Sequence, residues 1–145
     1  MPIHTTQRYT GETLALTFGT TPIQADFLRF VVDDSIATVD ITAGNTSDRA
    51  HIATTRQVIF RVELLQQAKS TSGTPIRQAL RVGNRAELIY APEGTASGKP
   101  KYACYATVTA CKITYPFEDV VRMDVELRRD GAFSAHFEDL GSVFA

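Results

Sequence analysis

Tryptophan is absent from the 145 residues, and cysteine, methionine and histidine number only two, two and three. Neither sign of charge dominates: 15 Lys and Arg stand against 16 Asp and Glu, for a formal charge of −1. Near-neutrality excludes a protein held on nucleic acid by bulk electrostatics, which carries a large positive excess. Without tryptophan, and with aromatics that do not interleave with Lys and Arg, no base-stacking platform is built. No apolar run approaches the ~18 residues that a membrane-spanning helix needs. Residues 1–10 also lack the apolar run of a signal peptide, so cytoplasmic synthesis and no membrane partner are expected. Hydrophobic residues, at 43%, are too many for a disordered acidic tail. A chain of this length is expected to form one domain, 1–145, whose core needs no disulfide or metal.

The scarce chemistry-bearing residues are also badly spaced for chemistry. Cys104 and Cys111 lie in one extended run, where ~3.3 Å per residue separates their Cα atoms by roughly 23 Å and odd spacing turns them to opposite faces. That excludes an internal disulfide and predicts two free thiols, as in a reducing compartment. His4, His51 and His136 show no zinc spacing; His136 with Glu138, on one strand face, is a weak pair. The acid pairs Asp33-Asp34 and Glu118-Asp119 fall near expected turns and read as solvated turn residues. No Gly-rich phosphate loop, no GxSxG elbow and no neighbouring Cys and His are found. The sequence therefore points to no enzyme, no catalytic residue, no metal and no cofactor.

What is present favours strands. There are eighteen threonines, with many Val and Ile. Residues 14–18 and 27–32 read as strands. In 36–42, Ala37, Val39 and Ile41 take one face; in 58–65, Val58, Phe60, Val62 and Leu64 do so, with Arg61 and Glu63 opposite. Between them, 43–57 is polar and unpatterned, about fifteen residues long, and is expected to project as a contact loop. One helix is expected from Thr74-Pro75 to Val82-Gly83, with Ile76, Ala79 and Leu80 on its apolar face and Arg77, Arg81 and Arg85 as a basic stripe. That stripe reads as an exposed face or a contact to an acidic neighbour, with phosphate binding as the sharper alternative. The last third reads as a hairpin, 85–91 and 101–115, around a Gly/Pro/Ser loop. Fifteen residues is long for one strand, so a bulge or bend is expected in 101–115. A strand then alternates Val121, Met123, Val125 and Leu127 with Arg122, Asp124, Glu126 and Arg128 until Gly131, followed by a short strand at 133–137.

The neutral total hides segregation. Residues 48–85 hold seven basic and two acidic side chains, whereas 113–145 hold three basic and seven acidic; 1–47 is also acidic. Opposite patches of this kind can steer copies of one protein together.

The series Ile76-Arg77-Gln78-Ala79-Leu80-Arg81-Val82-Gly83, strand 85–91, hairpin, Tyr105-Ala106-Thr107-Val108-Thr109 continues into Pro116-Phe117-Glu118-Asp119-Val120-Val121, Met123-Asp124-Val125-Glu126-Leu127 and Gly131-Ala132-Phe133. Upstream stands Val39-Asp40-Ile41-Thr42, a polar loop and strand 58–65. Over roughly residues 25–133 this order resembles the tail tube (major tail) proteins of long-tailed bacteriophages. A departure is the basic loop end Thr54-Thr55-Arg56, where an apolar one is expected. The resemblance implies a mainly β fold, a β-barrel or sandwich with one flanking helix and a long polar loop. It implies a structural virion protein of the tail, built into hexameric rings stacked as a tube through which DNA passes. Its partners would be further copies of itself, tape measure, tail tip and terminator proteins, with DNA only as transiting cargo. Candidate lumen-facing residues are Glu63, Asp124, Glu126, Arg61 and Arg122. Candidate inter-ring contacts are Asp48, Arg49, His51 and Arg56, with 139–145 as a C-terminal arm. The alternatives are a ring-forming terminator or hub of the same fold, or a monomeric β-barrel ligand-binding module.

Overall fold

Alternation of apolar and polar residues generates the strands, and where one strand's apolar side meets another's, a sheet forms. A computed structural model of the chain describes residues 11–23, 27–41, 51–66 and 73–145. Among these, the strands are β1 (Ala15–Phe18), β2 (Thr21–Pro22), β3 (Phe27–Asp40), β4 (His51–Leu65), β5 (Arg85–Ala91), β6 (Tyr102–Thr114) and β7 (Arg122–Ala135). Two short helices, α1 (Gly73–Ala79) and α2 (Phe137–Leu140), complete the set with a 3-10 turn at Gly11–Thr13. The strands form one antiparallel sheet in the order β2-β1-β5-β6-β7-β4-β3.

The sheet curls on itself. Phe30 of β3 and Tyr90 of β5 are separated by three intervening strands, yet their ring centroids lie 5.3 Å apart. Phe60 closes the triangle at 6.1 Å from Phe30 and 5.7 Å from Tyr90, and Tyr102 stacks on Tyr90 at 4.8 Å. The fold is thus mainly β, as expected, and of the two expected forms, barrel or sandwich, it is a β-barrel left open between β3 and the β1–β2 side. Inside it lie Leu16, Phe18, Leu64, Leu88, Val108 and Leu127, all buried. An aromatic cluster of this kind contributes packing beyond its buried area.

Several boundaries move. Asp33-Asp34 is no turn: β3 runs unbroken because it pairs with β4 from Phe27 to Asp40, with an irregularity between Ile36 and Thr38. The expected loop at 43–57 shrinks accordingly, since 51–57 belong to β4, while 42–50 lie outside the described residues. The helix ends at Ala79, where Asn84 Nδ2 donates to the Ala79 carbonyl at 2.6 Å and Leu80 N still reaches Ile76 O. Arg85 therefore leaves the helical stripe and starts β5.

β6 carries register shifts between Ala103 and Tyr105 and between Val108 and Ala110, as its length required. The second shift resets the alternation, so Cys104 and Cys111 both turn toward the core despite their odd spacing; both thiols are free. Gly131 does not end β7 but passes through at φ +85°, a conformation that a side chain resists. The chain end does not stand away as an arm. Val143 bridges Pro100, Lys101 N donates to Ser142 O at 3.1 Å, and Phe144 N donates to Lys99 O at 3.0 Å.

Candidate assembly interface

The register of β6, β7, β4 and β3 decides which side chains share the outer face. Arg29, Glu63, Asp124 and Lys112 form one row across the four strands, and Arg61 with Glu126 begins the next. Arg122 sits beside Leu65 at the end of the same face. All five residues expected to share a face, Arg61, Glu63, Arg122, Asp124 and Glu126, are thus brought together. Arg122 approaches Glu63 at 3.6 Å, Arg61 approaches Asp33 at 3.4 Å, and Arg128 approaches Glu126 at 3.7 Å. These pairs are half-exposed and add little stability. Their effect is to interleave the signs, so the face holds no block of either charge. Sequence reasoning missed Arg29, Asp33 and Lys112, because each acquires its place only through cross-strand register.

Beyond Val58 the barrel ends, but β3 and β4 go on as a two-stranded ribbon. Val39 pairs across to Ile52, and each is 51% exposed. Ile41 is exposed as well. The alternation that signals an apolar face is present as far as Ile41, but nothing among the described residues covers that face. His51 closes the described ribbon opposite Asp40. Asp48 and Arg49 lie outside the described residues.

Arg56 departs from its expected role as a projecting contact. At the root of the ribbon its Nε donates to Asp34 Oδ1 at 2.9 Å, its Nη2 to Asp34 Oδ2, and its Nη1 to Asp139 Oδ2 at 2.7 Å. Its guanidinium lies 5.3 Å from the Phe133 ring centroid, and that of Arg129 lies 5.2 Å from the same ring. Hydrogen bonds from Arg56 hold the Asp34 and Asp139 carboxyls below their ordinary range. His136, expected beside Glu138 on a strand, instead caps α2 by accepting from Asp139 N at 3.2 Å. Tyr102 OH donates to Glu138 at 2.6 Å. The cluster ties the ribbon root to the chain end.

No protein-family model matches the chain, and no curated protein matches it. Solved structures do. The chain aligns with a subunit in the tail of an empty gene transfer agent particle, an assembly of C6 symmetry, at TM-score 0.70 and 14% identity, over 88% of this chain and 98% of that one. It has a tail-tube-like fold. The likeness extends to the six-fold symmetrised baseplate of the anti-feeding prophage, at TM-score 0.64 and 13% identity over 91% and 98% of the two chains. A chain of the PVC sheath–tube complex, from an extracellular contractile injection system in its extended state, follows at 0.63 and 11% over 88% and 92%. At 11–14% identity, what these chains share with this one is the fold.

Proposed function

We propose that the chain is a structural protein of a phage-like tail, assembling as six-membered rings that stack into a tube for the passage of DNA. The observation that carries this reading is the fold likeness to a C6-symmetric tail, which spans nearly the whole of the matched subunit. Two features of this chain support it. β3 offers a fourteen-residue strand with no partner on its outer side among the described residues. Such an edge is a template for a neighbouring strand. The apolar ribbon is likewise left without a cover among the described residues.

The interleaved charges of Arg61, Glu63, Arg122, Asp124 and Glu126 suit a wall that lets DNA slide without holding it. The ribbon, with Asp48, Arg49 and His51 at or beyond its described end, would reach the next ring. Arg56 would act from behind, fixing the ribbon root. Tape measure, tail tip and terminator proteins are the further partners, the virion tail is the location, and the role involves no catalysis. A single ring in a baseplate or terminator is the second reading, favoured by the anti-feeding prophage likeness. Negative-stain microscopy of concentrated protein, seeded with tail-tip complexes, separates the outcomes. Tubes support the first reading and isolated rings the second, while monomers at every concentration overturn both.

A further inference from the structure

At the barrel end opposite the ribbon, where β4 finishes and β7 begins, two complementary features occur together. One is a cleft of about 820 Å³ between α1 and the ends of β6 and β7. Leu80, Ile113 and Met123 supply its apolar walls, and Arg77, Arg81 and Tyr115 also line it. Neither arginine pairs with a carboxylate among the described residues, whereas Arg85, at the start of β5, is taken by Asp130 at 2.6 Å. The other feature is the turn between β6 and β7. Phe117 at its tip is 99% exposed, with Glu118 and Asp119 following. Asp119 accepts from its neighbour Val120 N at 2.7 Å, and Glu118 makes no ion pair among the described residues.

We propose that this turn is a tongue that docks in the α1 cleft of a second copy, with Phe117 on the apolar walls and Glu118 and Asp119 against Arg77 and Arg81. Its own cleft is not where the tongue sits, since a side chain 99% exposed touches almost nothing of its own chain. Charge names the partner. The cleft's arginines belong to the basic block 48–85 and the tongue's acids to the acidic block 113–145, so each copy carries both halves of the contact. Tongue and cleft are different surfaces, which makes the contact heterologous; such a contact closes into a ring or runs on as a chain. Lying at one end of the barrel, away from the ribbon, it would run around a ring and leave the ribbon for stacking. This inference rests on the ring-building reading and supplies its lateral contact.

Paired charge reversal tests it in the full chain. R77E/R81E reverses the cleft and E118K/D119K reverses the tongue. Each variant alone is expected to melt as wild type does, yet to need a concentration about tenfold higher or more to assemble, by sedimentation velocity and negative-stain microscopy. An equimolar mixture should recover assembly, because each cleft then finds a tongue of opposite charge in an alternating, even-numbered ring. Phe117→Ala should raise the assembly concentration without changing the melting temperature. If either single variant assembles at the wild-type concentration, the cleft is filled otherwise, by another segment or another protein, and the inference falls. A mixture no better than its components overturns it too. Wild-type tubes beside unaffected variants would sink the tongue alone, whereas a wild type that stays monomeric sinks the ring-building reading and the tongue with it.

Discussion

Arg56 shows how one side chain can link three parts of a small barrel. It bonds Asp34 through two nitrogens, reaches Asp139 with a third, and lies over Phe133. Arg56→Ala removes these partners at a half-buried site and is expected to cost about 1–2 kcal/mol, a fall in Tm of about 3–6 °C. The pH dependence follows from Asp34. Its carboxyl is held below its ordinary value, first by the hydrogen bond from Arg56. A lowered folded-state pKa gives stability that is complete above the unfolded value, about 4, and lost as pH falls through the folded one. The Tm gap between wild type and Arg56→Ala should therefore be widest near neutrality and narrow in melts below about pH 4. An unchanged gap at low pH would place the stabilisation elsewhere. Cys104 permits a second test. Burial pushes its thiol up to about 12, and that of Cys111 upward as well. At pH 8 a thiol reagent should leave Cys104 unmodified in the folded protein and react with both cysteines in guanidinium; rapid native labelling of Cys104 would contradict its burial.

At the scale of elements, β7 and the ribbon show what alternation does and does not reveal. Residues 58–65 and 121–127 were legible as strands because apolar and charged residues contrast at every step. Gly131 was misread as a stop because glycine at the end of a pattern usually is one; here it makes an irregularity that lets β7 continue to Ala135. Gly131→Val should cost about 1–2 kcal/mol through the backbone alone. A Cβ there would meet nothing within 4 Å, so a calorimetric change near zero would mean that β7 relaxes around it. In the ribbon the alternation of Ala37, Val39 and Ile41 was legible, but alternation reports an apolar face and not what covers it. Val39→Asp and Ile52→Asp are accordingly expected to leave monomer stability within about 0.5 kcal/mol of wild type. In the same samples, microscopy should find stacking abolished. A large loss of stability would mean that the ribbon is already packed within its own chain.

For the whole molecule, charge arrangement matters more than charge total. The outer face of β3, β4, β7 and β6 interleaves signs, and a chain at −1 leaves no field to hold a polyanion. Reversing Glu63, Asp124 and Glu126 to lysine should give assemblies that retain DNA through purification at low salt and release it as salt rises. Wild-type assemblies should retain none in either condition. Equal retention by both would remove this face from the lumen. That the five residues share a face was readable from period two within strands 58–65 and 121–127. That Arg29 and Lys112 complete their row was not, because register between strands is a long-range property. Asp33-Asp34 went astray for the same reason: adjacent acids resemble a turn until Arg61 and Arg56 approach them from β4.

By itself, the sequence determined the class of fold, the polarity of the strand faces and the unpaired state of the thiols, all of which follow from local alternation and spacing. It also carried the segregation of basic 48–85 from acidic 113–145, a fact of composition. Tertiary structure alone decided the rest. The bulge in β6 reset the facing of Cys111, the pairing of β3 with β4 turned 51–57 of an expected loop into one strand of a ribbon, and Arg56 was drawn inward to Asp34 and Asp139. The physical reason is common to all three. Period-two patterning orients a side chain relative to its own strand, whereas register and curl set which distant strand it faces, and those come from packing the whole sheet around one core.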